Sequence, residues 1–552
     1  MNFAGTKLAF GAIFSLGLGI VLPWMLPPSG GPSPSIVPWL FSISCIGVLG
    51  CLLFRASALR TTPLLLLSVG IVVGLRGQNA LALAAIASVA ALSVVVLIVV
   101  NWGKNDNRVG LFVAWCWLIA AFIGGLIGLS QYFGIERYFE PWMSQSGSGE
   151  VYGNLRQRNQ FASLNNIGLV ALLYVASYAA AMKRRRIVTT AGFMLVAMVL
   201  AISLNASASR TGLLQLVFLS ATVLAWGGWH RPNVRILLIV VWASYGFATE
   251  ILPILSGFDP ASFGVLGRLQ EPGPDCASRW TLWRNVLQLI SQRPWLGWGW
   301  GELDYAHFTN LYEGPRFCEI LDNAHNLPLH LAVELGIPAA LVICVGSGWF
   351  IVHARPWAET DSERQMAWLV LAIILTHSML EYPLWYGPFQ MALGLCIGLL
   401  WPYRQKLGAS REKVMQGRIV VWVLTLLLFA GAIYAAWDYH RISQIYLIPK
   451  QRSEAYRDNT LEKIRASWLF RDQVNFAELT TTELTRDNAA QINALAKDVL
   501  HFSPEARVVE KLVESAMMLG HHDEAQFYLA RYRVAYPNEH ARWASEQATD
   551  VK

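Results

Sequence analysis

Charge is what this chain has least of. Only 14% of its 552 residues are Asp, Glu, Lys or Arg, against roughly a quarter in a soluble domain whose surface must be solvated. Most of the chain therefore does not face water, which excludes an ordinary cytosolic enzyme and a disordered chain. Cysteine is also sparse, at seven residues. That is too few for a disulfide-rich secreted module, and no spacing among them resembles a zinc site. What is abundant is apolar: 55% hydrophobic residues, a mean hydropathy of +0.40 and 23 Trp. Indole rings in such number suit the headgroup level of a bilayer. The net charge of +7 points either to nucleic acid or to the cytoplasmic loops of a multi-span membrane protein.

A membrane span needs about 20 largely apolar residues. Thirteen runs are candidates, near 8–26, 36–54, 62–76, 80–100, 109–133, 161–182, 187–204, 211–229, 234–255, 327–353, 366–384, 387–401 and 418–437, of which 62–76 and 387–401 are short. The first follows a single Lys and lacks a small-residue cleavage site, so it reads as a retained span. With a cytoplasmic N-terminus, the inner segments hold 18 basic residues, Lys183 to Arg186 and Arg404 to Arg418 prominent among them. The short outer segments hold five: Arg76, Arg137, Arg156, Arg158 and Arg210. This is the asymmetry that the positive-inside rule expects. The net charge is thus mostly a topology signal, and nucleic acid is not an expected partner.

The same topology puts two larger pieces outside, a loop of about 256–326 and the tail from 438. The tail is compositionally different, with 15 basic and 17 acidic residues and apolar positions at helical spacing. Its segment GHHDEAQFYLARYRVAYP looks like the second helix of a tetratricopeptide unit. The expected fold is an all-α polytopic membrane protein of about 12–13 transmembrane helices. It divides into a membrane domain over 1–437 and a small helical, TPR-like domain over 438–552. Cys276 and Cys318, 42 residues apart, fall together in the outer loop, where an oxidising compartment suggests a disulfide.

Polar and aromatic groups concentrate on the outer side. A helix from about Arg279 to Gln292 puts Trp280, Trp283 and Leu287 on one face. Gly297, Gly299 and Gly301 let the chain turn beside Trp295, Trp298 and Trp300, a cluster that suits stacking on sugar rings or lying on the bilayer surface. His325 and His330 sit where the loop meets the next span, either as a general base or as interfacial groups bonded to a carbonyl. Arg210, at the outer end of a span, either meets an anion or snorkels to the headgroups. Gln157, Asn159, Gln160, Asn165 and Asn166 would be wasteful facing lipid, so one face of their helix is expected to border a wet cavity. Glu381 and Tyr382 stand at a membrane edge before a Pro break.

The motifs YGNLRQRNQFA (152–162), SASRTG (207–212), SRWTLW with PWLGWGWG (278–301), DNAHNLPLHLAVELG (322–336) and HSMLEYPLWY (377–386) together resemble the O-antigen ligase and polymerase superfamily. Within it they resemble the PglL-type protein O-oligosaccharyltransferases. The resemblance covers about 150–400. After Gln157 this chain has Arg158 where the family pattern usually has Pro, and Gln160 where it often has His. The resemblance implies a GT-C-like glycosyltransferase in the inner membrane of a Gram-negative bacterium, with its active site and tail in the periplasm. It would move a preassembled glycan from undecaprenyl pyrophosphate to a Ser or Thr hydroxyl of an exported protein such as a pilin. Carried over residue by residue, His325 would be the essential loop histidine, and Arg210 and Arg279 would face the lipid pyrophosphate. Gln157 and Tyr382 match positions tied to activity. Trp298, Trp300 and Glu381 are candidate acceptor or glycan contacts. No clustered carboxylates serve a divalent metal, so neither metal nor other cofactor is expected. The alternatives are an O-antigen ligase or polymerase acting on a sugar hydroxyl, a transporter of lipid-linked sugars, and a scaffold acting through its tail.

Overall fold

A computed structural model of the chain describes residues 7–27, 31–33, 35–53, 79–103, 108–147, 149–182, 187–260, 263–270, 274–401 and 411–550. Helices run through all of these segments except 31–33, and none of the described residues forms a strand. The apolar runs become α1 (Lys7–Val21), α2 (Ile36–Leu53), α3 (Asn79–Gly103), α4 (Val109–Tyr132), α5 (Arg158–Ala181), α6 (Ile187–Ala206), α7 (Arg210–Ala225) and α8 (Pro232–Leu255). The outer loop carries α9 (Gly264–Gln270), α10 (Arg279–Gln292) and α11 (Leu303–Thr309), and it leads into α12 (Leu327–Leu335). Then come α13 (Ile337–Ala354), α14 (Ser362–Ser378), α15 (Gly387–Leu400) and α16 (Arg411–Ser443). The tail adds α17 (Thr460–Ile464), α18 (Arg471–Thr481), α19 (Ala489–Leu500), α20 (Ala506–Met518), α21 (His522–Ala535) and α22 (Pro537–Asp550).

Seven helices among the described residues are long and apolar enough to cross a membrane, and four apolar helices are shorter. Against the 12–13 spans expected, the described residues thus show seven full-length and four shorter apolar helices. Hydropathy sums residues without seeing where a helix breaks. The run at 327–353 breaks at Gly336, whose φ is +89°. The run at 366–384 ends its helix at Ser378, five residues before Pro383. The candidate span 62–76 lies outside the described residues, as do Arg55, Arg60, Arg76, Lys104, Lys183 to Arg186, Arg404 and Lys406 of the topology argument. The polytopic membrane character stands on the helices that are described.

α4 and α5 form the centre of the bundle. A Cβ at Gly168 would overlap Ala121, and one at Gly128 would overlap Phe161, so small residues set the close approach, as in membrane helix pairs generally. The inner part of the polar stripe of α5 is buried, while Gln157 and Asn159 at its start are half-buried. Ser203 donates to Asn165 Oδ1 at 2.7 Å, Asn166 donates to Gly212 O at 3.0 Å, and Ser163 meets His377 Nδ1 at 2.9 Å and Gln215. Asn165 and Asn166, expected to border a wet cavity, thus find partners on α6 and α7.

The outer loop has a core of its own in Leu282, Val286, Leu289, Leu303, Phe317 and Leu321, and it is closed by the Cys276–Cys318 disulfide. Trp280 and Leu287 do share a face of α10, but it is the exposed one; the buried face carries Leu282, Val286 and Leu289. The helix α16 runs past residue 437 to Ser443, and buried Asp438 accepts from Ser467 Oγ at 2.8 Å. The tail packs on the loop through α11. Phe308 is 2% exposed and joins Phe476, Leu500, Leu512 and Tyr532 in one core. Around it, Arg531 Nε donates to Thr309 O at 2.7 Å, His501 Nδ1 lies 2.7 Å from Glu302 Oε2, and the Tyr305 and His501 rings stack at 3.8 Å. Phe308→Ala is expected to cost about 3 kcal/mol and to loosen the tail from the loop, read as faster limited proteolysis at 440–470 in the purified protein.

Candidate active site

Four helices begin close together, each with a side-chain cap. Gln157 Oε1 accepts from Gln160 N at 2.8 Å at the start of α5. Ser209 Oγ accepts from Gly212 N at 2.9 Å at the start of α7. Ser278 Oγ accepts from Thr281 N at 3.2 Å at the start of α10, and Asn326 Oδ1 from Leu329 N at 3.2 Å at the start of α12. Such caps satisfy amides that the helix cannot. The residue after the cap in the first three is an arginine: Arg158, Arg210 and Arg279. None of these helices has an acidic residue in its first turn. The helix dipole favours anions there and opposes cations, so the sequence accumulates positive potential where local stability would have negative charge. Arg158 occupies the position after its cap, where a Pro is equally at home because that N–H has no intrahelical partner.

Glu381, in the turn after α14, ties these helix starts together. Its Oε2 lies 2.8 Å from His325 Nδ1, and its Oε1 accepts from Arg279 Nη2 and, at 3.2 Å, from Asn159 Nδ2. Asn159 Oδ1 in turn accepts from Ser209 Oγ at 2.6 Å. Burial alone would raise the Glu381 carboxyl, but the hydrogen bond and charge of His325 and the charge of Arg279 hold it below the usual carboxylate range. An ionised carboxylate only accepts, so Nδ1 of His325 is the donor to Glu381 and Nε2 is the ring nitrogen turned away from it. His325 itself has a left-handed backbone, φ +49°, fixed by its N–H to Asn323 Oδ1 at 2.9 Å.

The other sequence candidates fall into two groups. The Tyr382 ring stands edge-on to His325 at 5.1 Å. Burial, reinforced by neighbouring Tyr386, pushes its phenol above the ordinary range, so it stays a protonated donor at neutral pH. Arg210 is exposed and has no hydrogen bond or ion pair among the described residues. Gln157 acts as a helix cap. The two tryptophans, by contrast, make contacts with other groups of the chain. Trp298 donates to Leu289 O at 3.0 Å and is covered by Arg293 at 4.0 Å, and Trp300 stacks on Trp385 at 5.8 Å. His330 is buried beside Glu334 at 3.4 Å, and burial pushes its imidazole down to about 3, so it is neutral. The central place of Glu381 and the bridging of Asn159 by Ser209 were not apparent from the residue pattern. The signal for Ser209 was its position directly before the first turn of a span.

Three family models match the chain, and between them they include every residue of this cluster. The model described as protein glycosylation ligase matches 151–175, that described as O-antigen ligase matches 193–344, and that described as virulence factor membrane-bound polymerase, C-terminal, matches 365–550. The chain resembles the O-antigen ligase superfamily and its protein-glycosylating branch. Two proteins of Acinetobacter baylyi are similar to it. One is a general O-oligosaccharyltransferase, 24% identical over 456 residues, or 79% of this chain and 74% of that protein. The other is a ComP-specific O-oligosaccharyltransferase, 24% identical over 299 residues, or 54% and 52%. Resemblance to these oligosaccharyltransferases supports a glycosyl-transferring membrane enzyme.

A carboxylate held low stabilises the fold above its unfolded value, about 4.3, and that contribution is lost only as pH falls through the lower folded value. Glu381→Gln is therefore expected to cost about 2 kcal/mol at pH 7, with the difference from the unsubstituted protein shrinking toward pH 3. Thermal unfolding at the two pH values measures this; equal midpoints at pH 7 would count against the Glu381 hub.

Proposed function

We propose that this chain is a protein O-oligosaccharyltransferase. It transfers a preassembled glycan en bloc from undecaprenyl pyrophosphate to a Ser or Thr hydroxyl of an exported protein such as a pilin. The observation that carries the reading is the single Glu381 carboxylate holding a histidine on one oxygen and an arginine on the other. His325 Nε2 takes the proton of the acceptor hydroxyl as that oxygen bonds to the anomeric carbon. Glu381 orients the imidazole and balances the charge it gains. The bond from the anomeric carbon to the phosphate oxygen breaks, and one displacement inverts the centre. A pyrophosphate is a good leaving group, so stabilising its growing charge matters more than protonating it. Arg279 gives one donor to Glu381 and keeps the rest of its fork for phosphate oxygens; Arg210 has its whole fork available. Gln157 and Tyr382 position the rim of the site.

In this reading the full-length and short helices together make 12–13 spans in a Gram-negative inner membrane, with the N-terminus cytoplasmic. The membrane domain is 1–437, and the loop and the TPR-like tail of 438–552 lie in the periplasm. The guanidinium groups take the part that a divalent cation plays elsewhere, so transfer is expected to proceed undiminished in excess EDTA, and no cofactor is required. The O-antigen ligase match over 193–344 favours a second reading, in which the acceptor is a sugar hydroxyl.

Co-expression with a defined lipid-linked glycan and candidate exported acceptors, followed by mass-spectrometric mapping of the modified residue, separates the two. Unchanged protein glycosylation beside altered lipopolysaccharide would sink the protein-acceptor reading. His325→Ala is expected to lower transfer by about 10³-fold. Arg210→Ala and Arg279→Ala are each expected to lower it by about 10²-fold, all three with normal amounts of protein in the membrane.

A further inference from the structure

Arg268, on α9, belongs to no motif that the sequence reading singled out, yet it reaches directly beneath the start of α7. Its Nη1 donates to Ala208 O at 3.2 Å. Ala208 has a left-handed backbone, φ +49°, a conformation that costs a non-glycine residue of order 1 kcal/mol and persists only where its surroundings fix it. That turn delivers Ser209, the α7 cap and the partner of Asn159, and immediately after it Arg210. Arg268 thus holds the turn that presents Arg210.

The charges around Arg268 are strongly one-sided. Burial pushes its guanidinium down, and Arg158 and Arg210 push it further; Glu150 alone opposes them. Glu150 is already committed to Arg158, at 3.2 Å. The charges acting on Arg268 are thus two guanidinium groups against one carboxylate. Arg279 is not among the charges acting on Arg268; it stands with His325 on Glu381. The outer face has two cationic poles, one at the histidine and one at Arg158, Arg210 and Arg268, joined by the Ser209–Asn159 bridge. Like charges gathered in this way are unfavourable until an anion is placed among them, and two poles fit an anion with two charged centres.

We propose that Arg268 is a third guanidinium of the anion seat. It positions Arg210 through the Ala208 turn and, with Arg210, takes the phosphate on the lipid side of the donor, while Arg279 takes the phosphate bonded to the glycan. The inference rests on the transferase reading above and names a residue and a division of labour that the reading does not require.

The test uses the full-length protein in lipid nanodiscs with a lipid-linked glycan donor, measuring transfer against donor concentration and its inhibition by inorganic pyrophosphate. R268Q keeps an N–H for Ala208 O but loses the charge, and R268K keeps the charge. R268Q is expected to raise the donor KM and weaken pyrophosphate inhibition by about tenfold or more, with kcat changed far less, and R268K is expected to recover much of the loss. Donor KM and pyrophosphate inhibition unchanged in R268Q overturn the assignment, as does a loss confined to kcat, which marks a purely structural residue. An unsubstituted protein that transfers no glycan overturns the transferase reading and this inference with it. Normal transfer beside an unaffected R268Q overturns the Arg268 assignment alone.

Discussion

Moving a carboxylate out of water costs several kcal/mol, and the cost is met only where donors surround it. At the outer rim of this bundle Glu381 is 7% exposed, and its donors come from three separate parts of the chain. Arg279 comes from the loop helix α10, His325 from the segment before α12, and Asn159 from the first turn of α5. The geometry of the loop against the membrane bundle follows from that satisfaction. Remove the carboxylate and an arginine and a histidine are left facing one another with nothing between them, and Asn159 is left with only the Ser209 bridge.

Around this centre the helices are capped but not neutralised. Four side-chain caps let four helices stop at the same surface, and the arginines that follow three of the caps run against the helix dipole. Local helix stability would have negative charge at these positions, and the sequence places arginine there. The bulk of the fold carries that conflict: the apolar bundle, the disulfide-closed loop and the tail core around Phe308.

Much of this was legible in the residues. The polar stripe of α5, the outward Arg210 and Arg279, and the His325 segment stood out because polar groups at a membrane edge are conspicuous against an apolar background. What hydropathy could not supply was continuity. It merged α12 with α13 across Gly336 and extended α14 toward Pro383, since both breaks depend on backbone geometry. It also could not say which partner a polar residue finds. The amides of α5 read as facing water because a sequence shows need for a hydrogen bond and not its source; Ser203 and Gln215 meet part of that need from other helices. The clustered tryptophans read as a surface for sugar rings or for the bilayer; Trp298 bonds to Leu289 O within the loop, and Trp300 reaches Trp385 beyond it. Arg268 gave no signal, since a single basic residue on a short helix gains meaning only from the carbonyl it reaches.

His325 sits at φ +49°, in a region that glycine enters freely and an L side chain enters at a cost. A Gly there would relieve the backbone and at the same time strip buried Glu381 of one of its donors. Backbone comfort and carboxylate satisfaction therefore oppose each other at this one residue. A screen that ranks variants by thermal resistance alone reads the difference between the two and neither one separately.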